Sequence, residues 1–441
     1  MRMDSRLTRA ALSAIIVVAL CRPAKAENES SPLSLKEVVH LVLKENAQLK
    51  AAALEKEGAK ALHTYSGAFK NPKVAIQLED FLGSGSMSGF ANGQTTLTLR
   101  QDLELGGKRH ARVNVSGANL SAKEAAYESH RITILAETLV RFVHVVADQH
   151  RLETAIRAKE LAQHGFAFAR QRVQSGAAST IEQQRASIAL ARTKISEDHS
   201  QHELRASKRR LSVMWGDAQA RFSKAQANLF ALLQLPAYEE LATHIENNPE
   251  LVKHAKAQAI TQAKLSVEES AVIPNLRLNI GAKRIEDSGA YGMVFGLSAP
   301  IPLFDRNQGR IASLKNKEHA LAAQQQAQRA HLLAILYGHM QEFIHARQKL
   351  EVLEKDILPE ATSVLEFITH GFKFGRFSQI ELLDAQRTLV ELEQERIDSA
   401  EEMWAHALRI KSLIGVAPFM TQMPEGKQTK TPQQNQGDNH E

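Results

Sequence analysis

Between Arg109 and Val173 the chain runs 65 residues without a proline. A single helix of that length would reach about 95 Å, roughly three times the diameter of a small domain. Ile132, Leu135, Leu139, Phe142 and Val146 recur at alternating spacings of three and four, which is the seam of a coiled coil. A break follows at Ser175-Gly176-Ala177, after which Ile181, Ile188 and Ile195 stand seven apart. The pattern predicts a very long helical hairpin with its tip at Gln174 to Ala178.

The same pattern is written a second time. A helix is expected to start near Gly309, to carry Leu350, Leu353 and Ile357 on one seam, and to be interrupted at Pro359. It turns at Phe374-Gly375-Arg376, within a tip from Lys373 to Phe377, and returns with Leu383, Val390 and Ile397 seven apart. Leu103 matches Ile301 and Arg112 matches Arg310 at an offset of 198. Gly176 matches Gly375 and Ile181 matches Ile380 at 199, and Val74 matches Leu276 at 202. Agreement over this distance predicts an internal twofold repeat.

Each hairpin is preceded by a pair of alternating segments. Val74, Ile76 and Leu78 interleave with Ala75, Gln77 and Glu79, and Leu97, Leu99, Leu103 and Leu105 with Thr96, Thr98, Arg100, Asp102 and Glu104. In the second copy Leu276, Leu278 and Ile280, then Met293, Phe295, Leu297 and Ala299, alternate in the same way. Pro72 and Pro274 stand two positions before these pairs, where proline ends a helix and starts a strand. Period-two alternation gives one apolar and one polar face. A half-buried soluble hairpin would satisfy it, but strands of about 10 residues also suit a bilayer. On that reading Arg100, Asp102, Glu104 and Arg277 face a wet lumen.

No apolar run of about 18 residues follows the first 26, so any crossing of a membrane must be a closed β-barrel. Four strands cannot enclose a lumen, and about eight is the practical minimum. Chains must therefore share one barrel; two would give 8 strands and three would give 12, and a ring of hairpins around a wide bore favours three.

Residues 1–26 read as a secretory signal peptide: Arg2, Arg6 and Arg9, an apolar run from Ala10 to Leu20, and Ala24-Lys25-Ala26 at the cleavage site. Cys21, the only cysteine, lies in it, and Leu20 stands where a lipidation signal wants a small residue. A mature chain without cysteine suits an oxidising compartment and excludes thiol chemistry. The formal charge of +6 falls to +2 once the signal's five basic residues and Asp4 are removed (6 − 4), which gives no support to a nucleic-acid partner. The expected organisation is a first repeat over 27–213, a linker over 214–240, a second repeat over 241–417 and a disordered tail over 418–441.

Two segments stand where strand gives way to helix: Leu103-Glu104-Leu105-Gly106-Gly107-Lys108-Arg109 and Pro302-Leu303-Phe304-Asp305-Arg306-Asn307-Gln308-Gly309. With them the chain resembles the TolC family of outer-membrane efflux proteins, and within it the heavy-metal, CzcC-like branch. The resemblance implies a mainly α fold with a small β part. A homotrimer would share a 12-stranded barrel in the outer-membrane lipid above a helical periplasmic tunnel. It also implies two partners, a periplasmic adaptor and an inner-membrane resistance-nodulation-division cation/proton antiporter. A TolC-like duct for drugs or for type I protein secretion, or a periplasmic coiled-coil adaptor, are the alternative readings.

The resemblance further places Glu381 and Asp384 at the periplasmic aperture, with Glu182 in the equivalent place of the first copy and Arg376 as a candidate for a polar link that holds it closed. Carboxylates ringing one opening draw cations, and their mutual repulsion is expected to raise their pKa values. The tips, with Ser175, Gly176, Phe374 and Gly375, are expected to dock the adaptor. No phosphate-binding loop, nucleophile elbow or H-E-x-x-H motif is present, so neither catalysis nor a cofactor is expected. His331, His339 and His345 share a helix at spacings of eight and six and read as solvated or seam residues rather than metal ligands.

Overall fold

The computed structural model describes residues 32–416. The predicted signal segment with Cys21, and the predicted tail from 418 onward, lie outside the described residues. In the first half a two-residue strand β1 (Leu33–Ser34) precedes helices α1 (Leu35–Glu45) and α2 (Ala47–Tyr65). Then come β2 (Lys73–Glu79), β3 (Gln94–Leu103), α3 (Lys108–Gln174) and α4 (Thr180–Ser212). A short strand β4 (Ala225–Gln226) and helix α5 (Tyr238–Thr243) connect to α6 (Pro249–Ala271), β5 (Leu276–Ile285) and β6 (Tyr291–Ser298). The chain closes with α7 (Gln308–Val352), a π-helical turn (Leu353–Ile357), α8 (Leu358–Lys373) and α9 (Gln379–Leu413).

The 67 residues of α3 form one helix, about 100 Å long. Four of its five predicted seam residues, Leu135, Leu139, Phe142 and Val146, lie in the main core with Leu336, Phe343 and Trp404, whereas Ile132 is only partly buried and Ile134 is buried near it. The Trp404 indole N–H donates to the Leu229 carbonyl at 2.8 Å, which fastens the connecting segment to the helices. Gln149 does the same for β4, donating to the Ala225 carbonyl at 3.0 Å and accepting from its N–H at 2.7 Å.

The seam of the second hairpin departs from expectation. Leu350 and Leu353 are buried, but Ile357 is exposed and Leu358 takes its place. The π turn adds one residue to the helical ladder there, so the apolar stripe moves from the expected position to the next. Pro359 does not interrupt the helix either. It sits at the second residue of α8, just past the π turn, where the ladder is already opened and its missing N–H costs little.

Two contacts repeat across the halves. Asn46 and Asn248 each cap a helix, α2 and α6, by accepting from the N–H of Leu49 at 3.0 Å and of Glu250 at 2.8 Å. Each also donates its side-chain amide across to the end of a returning hairpin, Asn46 to Met214 and Asn248 to Leu413, both at 2.8 Å. The receiving ends share a left-handed glycine, Gly216 and Gly415. A Cβ on Gly415 would collide with the Asn247 backbone, so only glycine fits.

β1 and β4 pair in parallel as a small two-stranded sheet, and the larger sheet is antiparallel in the order β2-β3-β5-β6. Register aligns Val74, Leu99, Ile280 and Phe295 across the four strands, and Ile76, Leu97, Ala282 and Met293 in the next row of the same face. β6 stops at Ser298 because Pro300 and Pro302 cannot donate to a ladder. The register drawn from Leu103 to Ile301 therefore does not hold at that point: Leu103 ends β3, whereas Ile301 lies beyond β6.

Asn46→Ala and Asn248→Ala are each expected to lower stability by about 1–3 kcal/mol, from a lost cap and an unpaired buried carbonyl. Similar losses in both, read by thermal unfolding of the detergent-solubilised protein, would show that the two contacts carry equal roles.

Candidate functional site

The sheet is built the opposite way from a soluble hairpin. Its apolar side chains point outward, with Val74 69% and Phe295 71% exposed, whereas Thr96 on the polar face is 7% exposed. Exposed aromatics stand at both ends of the apolar band: Tyr291 at one, Phe69 and Phe304 at the other. Arg100, Asp102 and Arg277 share the polar face. Arg277 Nε donates to Asp102 at 2.8 Å, and Arg100 Nε donates to Asn279 at 3.0 Å. Opposite charges at paired positions of β3 and β5 hold the two halves in register.

Glu104 is the exception among the four residues assigned to a lumen. β3 ends at Leu103, and the chain then turns through Gly106 and Gly107, both left-handed. Glu104 is thereby taken off the strand into a clasp, 2.6 Å from Arg112 and 3.6 Å from Lys70. The surrounding motif acts as a junction. Arg112 donates to the Ser66 carbonyl at 2.8 Å and to the Ala68 carbonyl at 3.0 Å, just past α2. Lys108 donates to the Ile273 carbonyl and, at 2.6 Å, to Asn275, just past α6. Gly106 lies so close to Ile273 that a side chain would not fit. The matching segment of the second half places Asn307 in the left-handed region as the cap of α7, its N–H donating to Asp305 at 2.9 Å.

At the far end of the helices the two tips fold alike. The Ala177 N–H donates to Arg172 and the Gly176 N–H to Val173, at 2.8 and 3.1 Å. The Arg376 N–H donates to Gly371 and the Gly375 N–H to Phe372, at 2.9 and 3.1 Å. Both are six-to-one turns closed by a left-handed glycine. Ser175, Phe374 and the Arg376 side chain are exposed. Gly371 is needed because the Phe377 ring lies against it.

The structure brings the tips together. Gln379, buried at the start of α9, donates its side-chain amide to the Glu182 carbonyl at 2.8 Å. Glu381 and Asp384 lie exposed one turn on. Within one chain Glu381 has a local partner that the ring expectation did not include. Its carboxylate accepts the Ser378 N–H at 2.6 Å in a capping box, and that bond, with the Ser378 hydroxyl, holds its pKa below the usual carboxylate range rather than above it. Within one chain the cap outweighs any repulsion. Ser179 and Glu182 repeat the sequence of this box, but the Ser179 side chain makes no cap.

A polar network inside the helices has no counterpart in the sequence reading. Arg151 on α3 reaches Asp148 at 2.9 Å, and Asp398 and Glu401 on α9 at 2.6 and 2.5 Å. His144 Nδ1 lies 2.6 Å from Glu401. His144, Asp148 and Arg151 follow spacings of four and three, so one face of α3 was visible, but their partner strip on α9 was not. The hydrogen bond to Glu401 raises the His144 pKa. Burial pushes Glu401 up, yet His144 and Arg151 together leave it lowered. Beside the network is a cavity of about 340 Å³ lined by His144, Asp148, Arg151, His199, Ser200 and Glu203.

An outward apolar sheet joined by tight clasps to helices about 100 Å long narrows the fold to a channel wall, and comparison with known proteins settles the family. Residues 38–217 and 241–416 match the family described as Outer membrane efflux protein. The chain belongs to that family. Among curated efflux relatives it is 29% identical over 394 residues to the cobalt-zinc-cadmium resistance protein CzcC of Cupriavidus metallidurans, spanning 89% of this chain and 92% of the relative. It is 28% identical over 284 residues to the nickel-cobalt-cadmium resistance protein NccC of Alcaligenes xylosoxydans xylosoxydans, spanning 64% and 63%. A solved CusC structure superposes with a TM-score of 0.74 at 17% identity, over 90% of this chain and 96% of that one. The outer membrane protein VceC of Vibrio cholerae superposes at 0.72 and 17% identity, over 87% and 96%. The fold is that of outer-membrane efflux channels, and the two matched stretches bracket the connecting segment from 218 to 240.

The network predicts a pH dependence. Because the folded His144 pKa is raised, its stabilisation is full below the unfolded value of about 6.5 and lost as pH rises through the folded one. Glu401, depressed, contributes above about 4.3 and loses its share as pH falls. His144→Gln is expected to lower stability by about 1 kcal/mol, allowing for solvent screening, between those limits. The gap from the wild type should close toward pH 9, as read by melting temperatures at stepped pH.

Proposed function

We propose that this chain is the outer-membrane duct of a heavy-metal cation exporter, a passive conduit from the periplasm to the exterior. The observation that carries the reading is the inverted sheet with two unpaired edges, β2 and β6. Lipid tolerates no unpaired strand edge, so the edges of neighbouring chains must meet. Three chains of four strands make a 12-stranded barrel with Arg100, Asp102 and Arg277 toward its lumen. The exposed stripe Ile181, Ile188 and Ile195 on α4 supports the same assembly, since it is a heptad-spaced seam left uncovered among the described residues. Export through residues 1–26 delivers the chain, which folds as two repeats of one hairpin unit.

The metal cargo rests on relatives named for cobalt, zinc, cadmium and nickel resistance. Such a duct takes its cargo from a periplasmic adaptor docked at the tips around Gly176 and Gly375 and from an inner-membrane cation/proton antiporter. Glu182, Glu381 and Asp384, brought to one end by the Gln379 link, would ring the aperture in a trimer, with Arg376 at its edge. The low pKa of Glu381 keeps that position charged, which favours cations.

Deleting the gene should sensitise cells to one or more of zinc, cadmium, cobalt and nickel. Sensitivity confined to lipophilic drugs would overturn the cation assignment. Glu381→Gln combined with Asp384→Asn should lower cation selectivity in planar bilayers several-fold. Unchanged selectivity would remove those residues from the aperture.

A further inference from the structure

His339 on α7 and His406 on α9 face one another with their Nδ1 atoms 3.0 Å apart and ring centroids 5.2 Å apart. Both rings are about half-buried, unlike His331 and His345, which are exposed on the same helix. His339 thus lies in the seam between α7 and α9, one of the two placements the sequence allowed it, and there it meets a second imidazole. A hydrogen bond between two neutral imidazoles accounts for the distance, with one Nδ1–H donating to the other nitrogen.

The same geometry suits a second occupant. Two imidazole nitrogens about 2.0–2.1 Å from a tetrahedral divalent cation lie about 3.3 Å apart. The nitrogens would separate by a few tenths of an ångström, and each ring would turn so that both lone pairs converge on the ion. We propose that His339 and His406 form a binding site for a borderline divalent cation such as Cu²⁺, Ni²⁺ or Zn²⁺, clamping α7 to α9. Among the described residues no group of three or more His, Cys, Asp or Glu is placed to hold a metal ion. The site is thus a two-nitrogen clip whose remaining positions are filled by water.

Burial lowers the pKa of both histidines, with Arg409 adding to it in each case and His406 adding to it for His339. Loading both Nδ1 atoms needs no net loss of protons: the donating ring moves its proton from Nδ1 to Nε2 through solvent. Glu342, three residues after His339, favours a cation there, and Arg409, three after His406, opposes one. The inference does not depend on what the channel exports, since a drug duct with this pair would bind the same ions.

Cu²⁺ is the probe of choice, as it binds nitrogen sites most tightly of the first-row series. Titration of the purified, detergent-solubilised full chain should give one tight site per chain, with two-nitrogen hyperfine structure in electron paramagnetic resonance. His339→Ala and His406→Ala should each weaken that site at least tenfold. A tight site that persists unchanged in both variants would overturn the proposal. If either variant fails to fold, the wild type still decides. His339 and His406 should be shielded from diethylpyrocarbonate at lower Cu²⁺ than His331 and His345, and equal shielding of all four would refute the site.

Discussion

A helix of 67 residues has no interior of its own. Every apolar side chain on it must find cover from the side, along about 100 Å, and this requirement organises the rest of the molecule. α3 is flanked by α2 and α6 along its sheet-proximal stretch and by α4 and α9 along its tip-proximal stretch. The feeding helices α2 and α6 pack beside it near the sheet, α4 returns along it from the tip, and α9 crosses from the other half. What would be two separate hairpins becomes one wall because α3 needs α9, and their contact is where Arg151 gathers Asp148, Asp398 and Glu401. One cation among three carboxylates is tolerable there because His144 adds a second positive group against Glu401 and Asp398 is half exposed to water.

The junctions and tips translate that wall into a working part. At one end, sheet residues two apart must hand over to helix residues three and four apart within a few positions. The left-handed caps Gly107 and Asn307 make that change of direction. Lys108, Arg109 and Arg112 then use neighbouring carbonyls as anchors, Arg109 also lying 4.3 Å over the Phe69 ring. At the other end identical turns yield different chemistry, because only Ser378 of the two equivalent serines closes its capping box.

Much of this was legible in the sequence, because long periodic segments declare themselves. The seam Leu135, Leu139, Phe142 and Val146, the strand alternation and the glycines at 176 and 375 all lie where spacing put them. What spacing cannot show is phase slippage and cross-chain pairing. One extra residue in the π turn displaced Ile357 from its seam, and nothing in its composition announced that. Glu104 fitted the alternation by parity yet was turned off the strand by the two glycines after it. The Glu381 carboxylate also closes the capping box of its own helix, a local contact that the ring argument left out. The Asn46 and Asn248 contacts had a faint signal, the shared offset of 202 with Val74 and Leu276, but an asparagine before a helix usually promises only a cap.

The inverted sheet also has a consequence for the chain before it reaches its lipid. In water, Val74, Ile76, Leu97, Leu99, Met293 and Phe295 form one continuous greasy plate bordered by two open hydrogen-bonding rims. Such a plate adheres to whatever apolar surface it first meets, other nascent copies included. The helices can fold on arrival from local contacts, whereas the sheet cannot safely be finished until bilayer and neighbours are both at hand. A stalk that covers its own seam and a sheet that leaves its apolar face and both rims bare thus make opposite demands on their surroundings.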